Sequence, residues 1–296
     1  MFNFRPALTL TTLALALSVP LSAHAHRSWL LPSSTVLSGE KPWITVDAAV
    51  SNHIFEFEHN ALLLEGIGQP LPVPEGAKQP PMRRPPSRIQ ITAPDGSSVN
   101  PEQGHLGRFR SSFDVPLTQQ GTYKLAIANQ GVMASWKDAA TQEPRRWTGP
   151  LAGLKEAIHN EANEVRVVEI SSRIETFVTV GKPTDGALKT TGNGLELAPI
   201  THPNDWIAGQ PAPLAFLLNG QPAANVVITV IPDGSRFRND SGEINAKTDE
   251  KGHVTLTLPT AGRYWLEAEF SSKEGLTPPL TERRATYSAT LEIQVP

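Results

Sequence analysis

Residues 121–129 read GTYKLAIAN, and residues 262–270 read GRYWLEAEF. Each places a turn glycine just ahead of a tyrosine-bearing run of strand composition, an ending that immunoglobulin-like sheets often show. The same cue twice in one chain points to two β-sandwich modules in tandem. Outward from the second anchor, residues 246–261 read AKTDEKGHVTLTLPTA, which predicts strand, turn, strand and turn. Further strands are expected at 195–198, 213–218 and 225–231, with Asn219-Gly220 as a two-residue hairpin signal. The alternating run TYSATLEIQV at 286–295 closes that sheet.

Around the first anchor, strands are predicted at 43–50 (WITVDAAV), 54–58 (IFEFE), 88–92, 108–115, 165–170 and 174–180, with a turn at Pro94-Asp95-Gly96. Residues 149–163 form the one helical candidate, because Leu151, Leu154 and Ile158 fall at helix spacing. Prolines crowd residues 69–87, which excludes a central strand and implies an extended surface loop. The polar, glycine-bearing stretch 181–194 reads as a linker. The expected fold is therefore all-β: two tandem immunoglobulin-like β-sandwich domains with one short helix, at 26–185 and 195–296, after a signal peptide at 1–25.

Composition narrows the chemistry. The chain has 296 residues, 27 prolines, 22 glycines, no cysteine and a net charge of −3. Thiol catalysis and thiolate metal sites are excluded, so a transition metal must be held by histidine, carboxylate or backbone groups. Without a basic tract, nucleic acid is not an expected partner. No zinc-helix motif, nucleophile elbow or phosphate loop occurs, so no catalytic residues are assigned.

The amino-terminal end supplies the candidate site. Arg5 is followed by an uncharged apolar stretch at 7–21 and then by AHAHRSWLLP at 23–32. This is the three-part pattern of a secretory signal, with an apolar core too short to span comfortably. It predicts a periplasmic protein with no stable membrane insertion after cleavage. A cut after Ala25 leaves His26 as the first residue, whose amine and imidazole can chelate one ion. A further histidine then completes a three-nitrogen, T-shaped set that suits Cu(II). A cut after Ala23 leaves His24-Ala25-His26, which can wrap Cu(II) or Ni(II) in a square plane. Both registers stay open on the sequence alone.

His53 and His59, in HIFEFEH, are the partners considered for His26. A straight strand would separate them by about 20 Å, so at most one reaches His26. His59, at a strand end, is preferred. His105, His159 and His253 are expected at the surface, and His202, before Pro203, as a turn residue between domains. Trp29 and Trp43 are expected in the core, and the pairs Glu56/Glu58 and Glu267/Glu269 on solvated strand faces.

The AHAH end of the leader, WLLP, WITVDAAV, the run at 195–230 and the GRYWLEA hairpin together resemble a family of exported bacterial proteins. It is a domain family of unknown function, often described as the periplasmic component of cobalt or nickel transport. The resemblance implies two β-sandwiches, periplasmic location and a part in divalent metal uptake. It bears on His26, and on His24 in the other register. His59 rests on spacing.

The expected function is a non-enzymatic periplasmic protein that binds a divalent transition metal (Ni, Co or Cu) and assists an envelope metal transporter. Its metal residues are His26, His59, His24 and His53. Two alternatives stand beside it. One is a structural or partner-binding envelope module without metal. The other is a copper oxidoreductase using an amino-terminal histidine, as lytic polysaccharide monooxygenases do.

Overall fold

The computed structural model describes residues 26–68, 85–158 and 162–296. The leader expected at 1–25, with His24, most of the proline-rich segment and His159 lie outside the described residues. The first module contains β1 (Arg27–Pro32), β2 (Val36–Leu37), β3 (Trp43–Ser51), β4 (Asn60–Ala61), β5 (Ile89–Thr92) and β6 (Ser98–Val99). It continues with β7 (Glu102–Leu106), β8 (Ser111–Pro116), β9 (Gly121–Asp138), β10 (Pro144–Gly149) and β11 (Ala162–Val180). The second contains β12 (Leu195–Pro199), β13 (Pro211–Leu218), β14 (Gln221–Pro222) and β15 (Val227–Pro232). It ends with β16 (Ile244–Lys247), β17 (His253–Thr257), β18 (Gly262–Ser272) and β19 (Glu282–Ile293). The protein is an all-β molecule built from two β-sandwiches.

Each sandwich closes over its own core. In the first, the sheet β1-β3-β8-β7 faces β5, β9 and the end of β11 across Leu30, Val46, Phe113, Val115, Tyr123, Leu125 and Ile127. In the second, β12, β13 and β17 face β15, β18 and β19 across Trp206, Leu214, Phe216, Ile228, Leu266 and Tyr287. The two anchor tyrosines do the same work in each. Gln119 donates its backbone N–H to the Tyr123 hydroxyl at 2.7 Å, and the Tyr264 hydroxyl donates to the Thr260 carbonyl at 2.9 Å. Each bond ties the turn to the start of its strand, as in a tyrosine corner.

The two modules share one sheet. β11 pairs with β19 in parallel from Val168↔Glu282 to Thr176↔Thr290, which fuses both halves into a ten-stranded sheet, β16-β15-β18-β19-β11-β9-β5-β6, with β10 added on β9 and β2 on β11. Residues 173–180 are all buried because both faces of β11 are covered. Ile174, Val178 and Val180 enter the first core, and Phe177 enters the second. The runs predicted at 165–170 and 174–180 are thus one strand, and the strand expected at 121–129 continues to Asp138. The polar and glycine residues that interrupt both runs are overridden because β9 and β11 pair along almost their whole length.

Other expectations shift. Between β10 and β11 the described residues form a 3-10 turn, Leu151–Gly153, and a single helical turn, Leu154–Ala157. The predicted helix is short because Gly149 pairs with Val132 in the β9–β10 hairpin. The strand expected from 108 begins at Ser111, after a turn closed by Gly107 N–H on the Arg110 carbonyl. His105 lies on strand β7, exposed. Trp43, expected in the core, opens β3 at 52 % exposure, whereas Trp29 is fully buried. The Asn219-Gly220 hairpin forms with both φ angles positive, 50° and 78°, as its turn requires.

The linker expected at 181–194 is pinned. Glu196 accepts backbone N–H groups of Thr191 (2.8 Å) and Gly192 (2.7 Å) and pairs with buried Arg173 at 3.1 Å. Arg173 also pairs with Glu175 at 3.2 Å, whose other oxygen accepts the Tyr287 hydroxyl at 2.9 Å. Burial and this carboxylate push the Tyr287 phenol well above its ordinary value. His202 bridges the modules: its Nε2 meets the Thr122 hydroxyl at 3.0 Å, and its Nδ1 accepts the Asn204 N–H at 3.1 Å. Among the described residues no helix is long and apolar enough to cross a membrane.

Candidate metal site

The outer face of the β1-β3 sheet lies on the outer face of β15 and β18. Trp29, Ala49, Ile54 and Phe55 pack there against Ile231 and Trp265. Trp29 and Phe55 meet edge to face at 5.8 Å, and the Trp265 indole N–H donates to the Ser28 carbonyl at 3.0 Å. This junction fixes the start of β1, and with it His26.

Backbone register explains how two histidines far apart in sequence converge. Arg27 stands opposite Ser51, the last residue of β3, so His26 emerges beside the end of that strand. The chain leaves β3, loops, and returns as β4, where Asn60 stands opposite Val50. His59 therefore emerges at the same end of β3 from the other side. Their rings stack with centroids 4.0 Å apart and planes 14° from parallel. His26 is exposed and His59 half-buried.

The intervening HIFEFEH segment is a loop, not the strand expected at 54–58. Phe55 adopts a left-handed φ of 60°, which a strand cannot contain. It does so because Ile54 and Phe55 both turn into the inter-module core. The loop is clasped by Glu58: one carboxylate oxygen lies 2.7 Å from His53 Nδ1 and accepts from the Ser51 hydroxyl at 3.1 Å. The hydrogen bond from His53 holds the Glu58 carboxyl below its ordinary value. Glu56 pairs with Arg236 of the second module at 3.1 Å. The Arg110 guanidinium covers the Phe57 ring at 4.8 Å.

Of the residues singled out in the sequence, His26 and His59 come together. His53 is engaged by Glu58, and His24 lies outside the described residues. The calculation of a 20 Å span along a straight strand does not apply to a loop. The Glu58 clasp escaped the sequence reasoning. Its only signal was Ser51-Asn52, turn-forming residues directly after a strand.

Glu267 departs from the solvated face expected for it. It is half-buried, because β1 crosses that face of β18, and Arg27 lies over the neighbouring Trp265 ring at 5.4 Å. Burial, reinforced by the Glu269 charge, pushes its carboxyl up to about 7. Glu269 is exposed.

Among the described residues no three His, Asp or Glu side chains are grouped to hold a metal. The stacked pair offers two imidazoles. A separate crease of about 380 Å³, lined by Gln130, Glu169, Asn193, Asn219 and Arg283, shares no residue with this pair. Within it Arg283 pairs with Glu169, and Asn219 accepts the Gly194 N–H at 2.8 Å.

The architecture defines a tandem β-sandwich protein with a histidine pair at the head of its first strand. The chain belongs to the DUF4198 family, a domain of unknown function, whose model matches residues 23–272. No curated protein matches the chain. Solved structures similar to it include the D0-D1 domain of intimin, at 11 % identity and a TM-score of 0.20, covering 89 % of this chain and 96 % of that one. Another is the pair of tandem V-type regions of VCBP3, a v-region-containing chitin binding protein, at 9 % identity and a TM-score of 0.18, covering 88 % and 98 %. Likenesses of that size carry no functional argument.

Proposed function

We propose that this protein is a non-enzymatic, periplasmic metal-binding protein. It captures a divalent transition ion at its processed amino terminus and passes it to an envelope transporter. The observation that carries this reading is the contact between the His26 and His59 rings. Cleavage after Ala25 gives His26 a free amine, so amine, first imidazole and second imidazole become three donors at one point. The free amine needs that cut, because a longer terminus turns the His26 nitrogen into an amide.

The rigid junction beneath the site supports the reading as well. Trp29, Trp265 and the Glu58 clasp hold both chain segments, so little ordering remains to be done when an ion binds. The transporter role itself rests on the family resemblance given by the opening motif and the second-module hairpin.

Isothermal titration of the protein beginning at His26, against the same protein with that amine acetylated, tests the proposal. One ion per chain is expected for the first, with at least tenfold weaker binding for the second. Equal binding by the two forms ends it.

A further inference from the structure

We infer that the ion is copper, held as Cu(II) by the His26 amine, the His26 imidazole and the His59 imidazole. This rests on the metal-binding reading above and narrows it from three metals to one. The first argument is the donor inventory. The chain has no cysteine, and no third His, Asp or Glu side chain joins the pair among the described residues. The carboxylate next in sequence, Glu58, is already bonded to His53 and Ser51. A set of three nitrogens without a carboxylate fits the tetragonal preference of Cu(II). An ion that favours six donors, as Ni(II) and Co(II) commonly do, would draw half its shell from water.

The second argument is spatial. An ion bonded to an imidazole lies in the plane of that ring. Two planes only 14° apart and separated by a 4.0 Å stack do not meet within bonding reach. Loading therefore requires at least one ring to turn. Two nitrogens bonded to the same ion from opposite sides are about 4 Å apart, twice a metal–imidazole bond of about 2.0 Å. The ring centroids would then stand about 6 Å apart, against 4.0 Å in the stack, so loading must part the rings as well as turn one of them. His26, exposed at the head of β1, is the ring free to turn. A linear pair of imidazoles crossed by an amine is the T-shape that copper accepts with an open fourth position.

The test uses the whole processed chain beginning at His26. Chelator competition with CuSO₄, NiCl₂ and CoCl₂ measures the three affinities, and electron paramagnetic resonance reads the copper donors. The expected result is one Cu(II) per chain with an axial, nitrogen-coupled signal, and Ni(II) and Co(II) each bound at least a thousandfold more weakly. His59→Ala should weaken copper at least tenfold and simplify the nitrogen coupling, while His53→Ala leaves both unchanged. Acetylation of the His26 amine keeps every side chain of the fold, removes that donor, and should weaken copper at least a hundredfold. Ni(II) or Co(II) bound within tenfold of Cu(II), or an oxygen-dominated copper signal, overturns the copper assignment and leaves metal binding standing. Failure of all three ions to bind removes both.

Discussion

Glu267→Gln should stabilise the protein at alkaline pH and leave it unchanged in mild acid. The Glu267 carboxyl is pushed from an ordinary 4.5 up to about 7, first by burial beneath β1 and then by the Glu269 charge, with Arg27 acting in the opposite sense. At about 1.36 kcal/mol per pH unit, the gap corresponds to about 3 kcal/mol. Partial solvent contact reduces this to about 2 kcal/mol. The folded state holds the proton more tightly than the unfolded state. Stability from this group is therefore complete below pH 4.5 and falls as pH rises through about 7. A glutamine cannot ionise and escapes that loss. Urea denaturation of wild type and variant at pH 4.5 and pH 8 measures the difference directly. Other carboxylates titrate equally in both proteins and cancel. The expected gain for the variant is about 2 kcal/mol at pH 8 and close to zero at pH 4.5. The same difference at both pH values, or a variant less stable at pH 8, refutes the account of β1 as the cover that desolvates Glu267.

Two further outcomes follow from the packing. Arg173→Ala leaves the buried Glu175 and Glu196 carboxylates without their shared cation and should cost about 3–5 kcal/mol in chemical denaturation; a loss below about 1 kcal/mol would mean that the cluster is wet. Tyr123→Phe and Tyr264→Phe should each cost about 1 kcal/mol. Because the two tyrosines sit in separate cores, the double variant should lose their sum.

The pattern of what was legible follows the range of the interactions. Asn219-Gly220, Gly121-x-Tyr123 and Gly262-x-Tyr264 act within a few residues, and their turns and strands formed as composition dictates. Residues 165–180 were read as two runs because Ser171-Ser172 and Arg173 interrupt the apolar pattern. The interruption is immaterial in the folded chain, where β9 and β19 pair along both sides and Glu175, Glu196 and Tyr287 satisfy Arg173. Trp43, expected in the core, stands at the very start of the interior strand β3, where it is only half covered. Glu267 was read as solvated because i,i+2 spacing fixes only which face a residue shares, not what lies on that face.

The candidate site divides in the same way. The leader pattern and the histidine after Ala25 are local chemistry, visible in a one-dimensional reading. The meeting of His26 with His59 depends on β1 and β4 pairing at the same end of β3, and on a left-handed turn at Phe55 drawn inward by the inter-module core. By itself the amino-acid sequence determined an all-β chain of two modules, its turns, and the residue types able to bind a metal, since these depend on neighbours a few bonds away. Which histidine faces His26, which carboxylates are desolvated, and the fusion of two sandwiches through β11 and β19 were decided only in three dimensions. Burial and strand register are set by partners that lie far off along the chain.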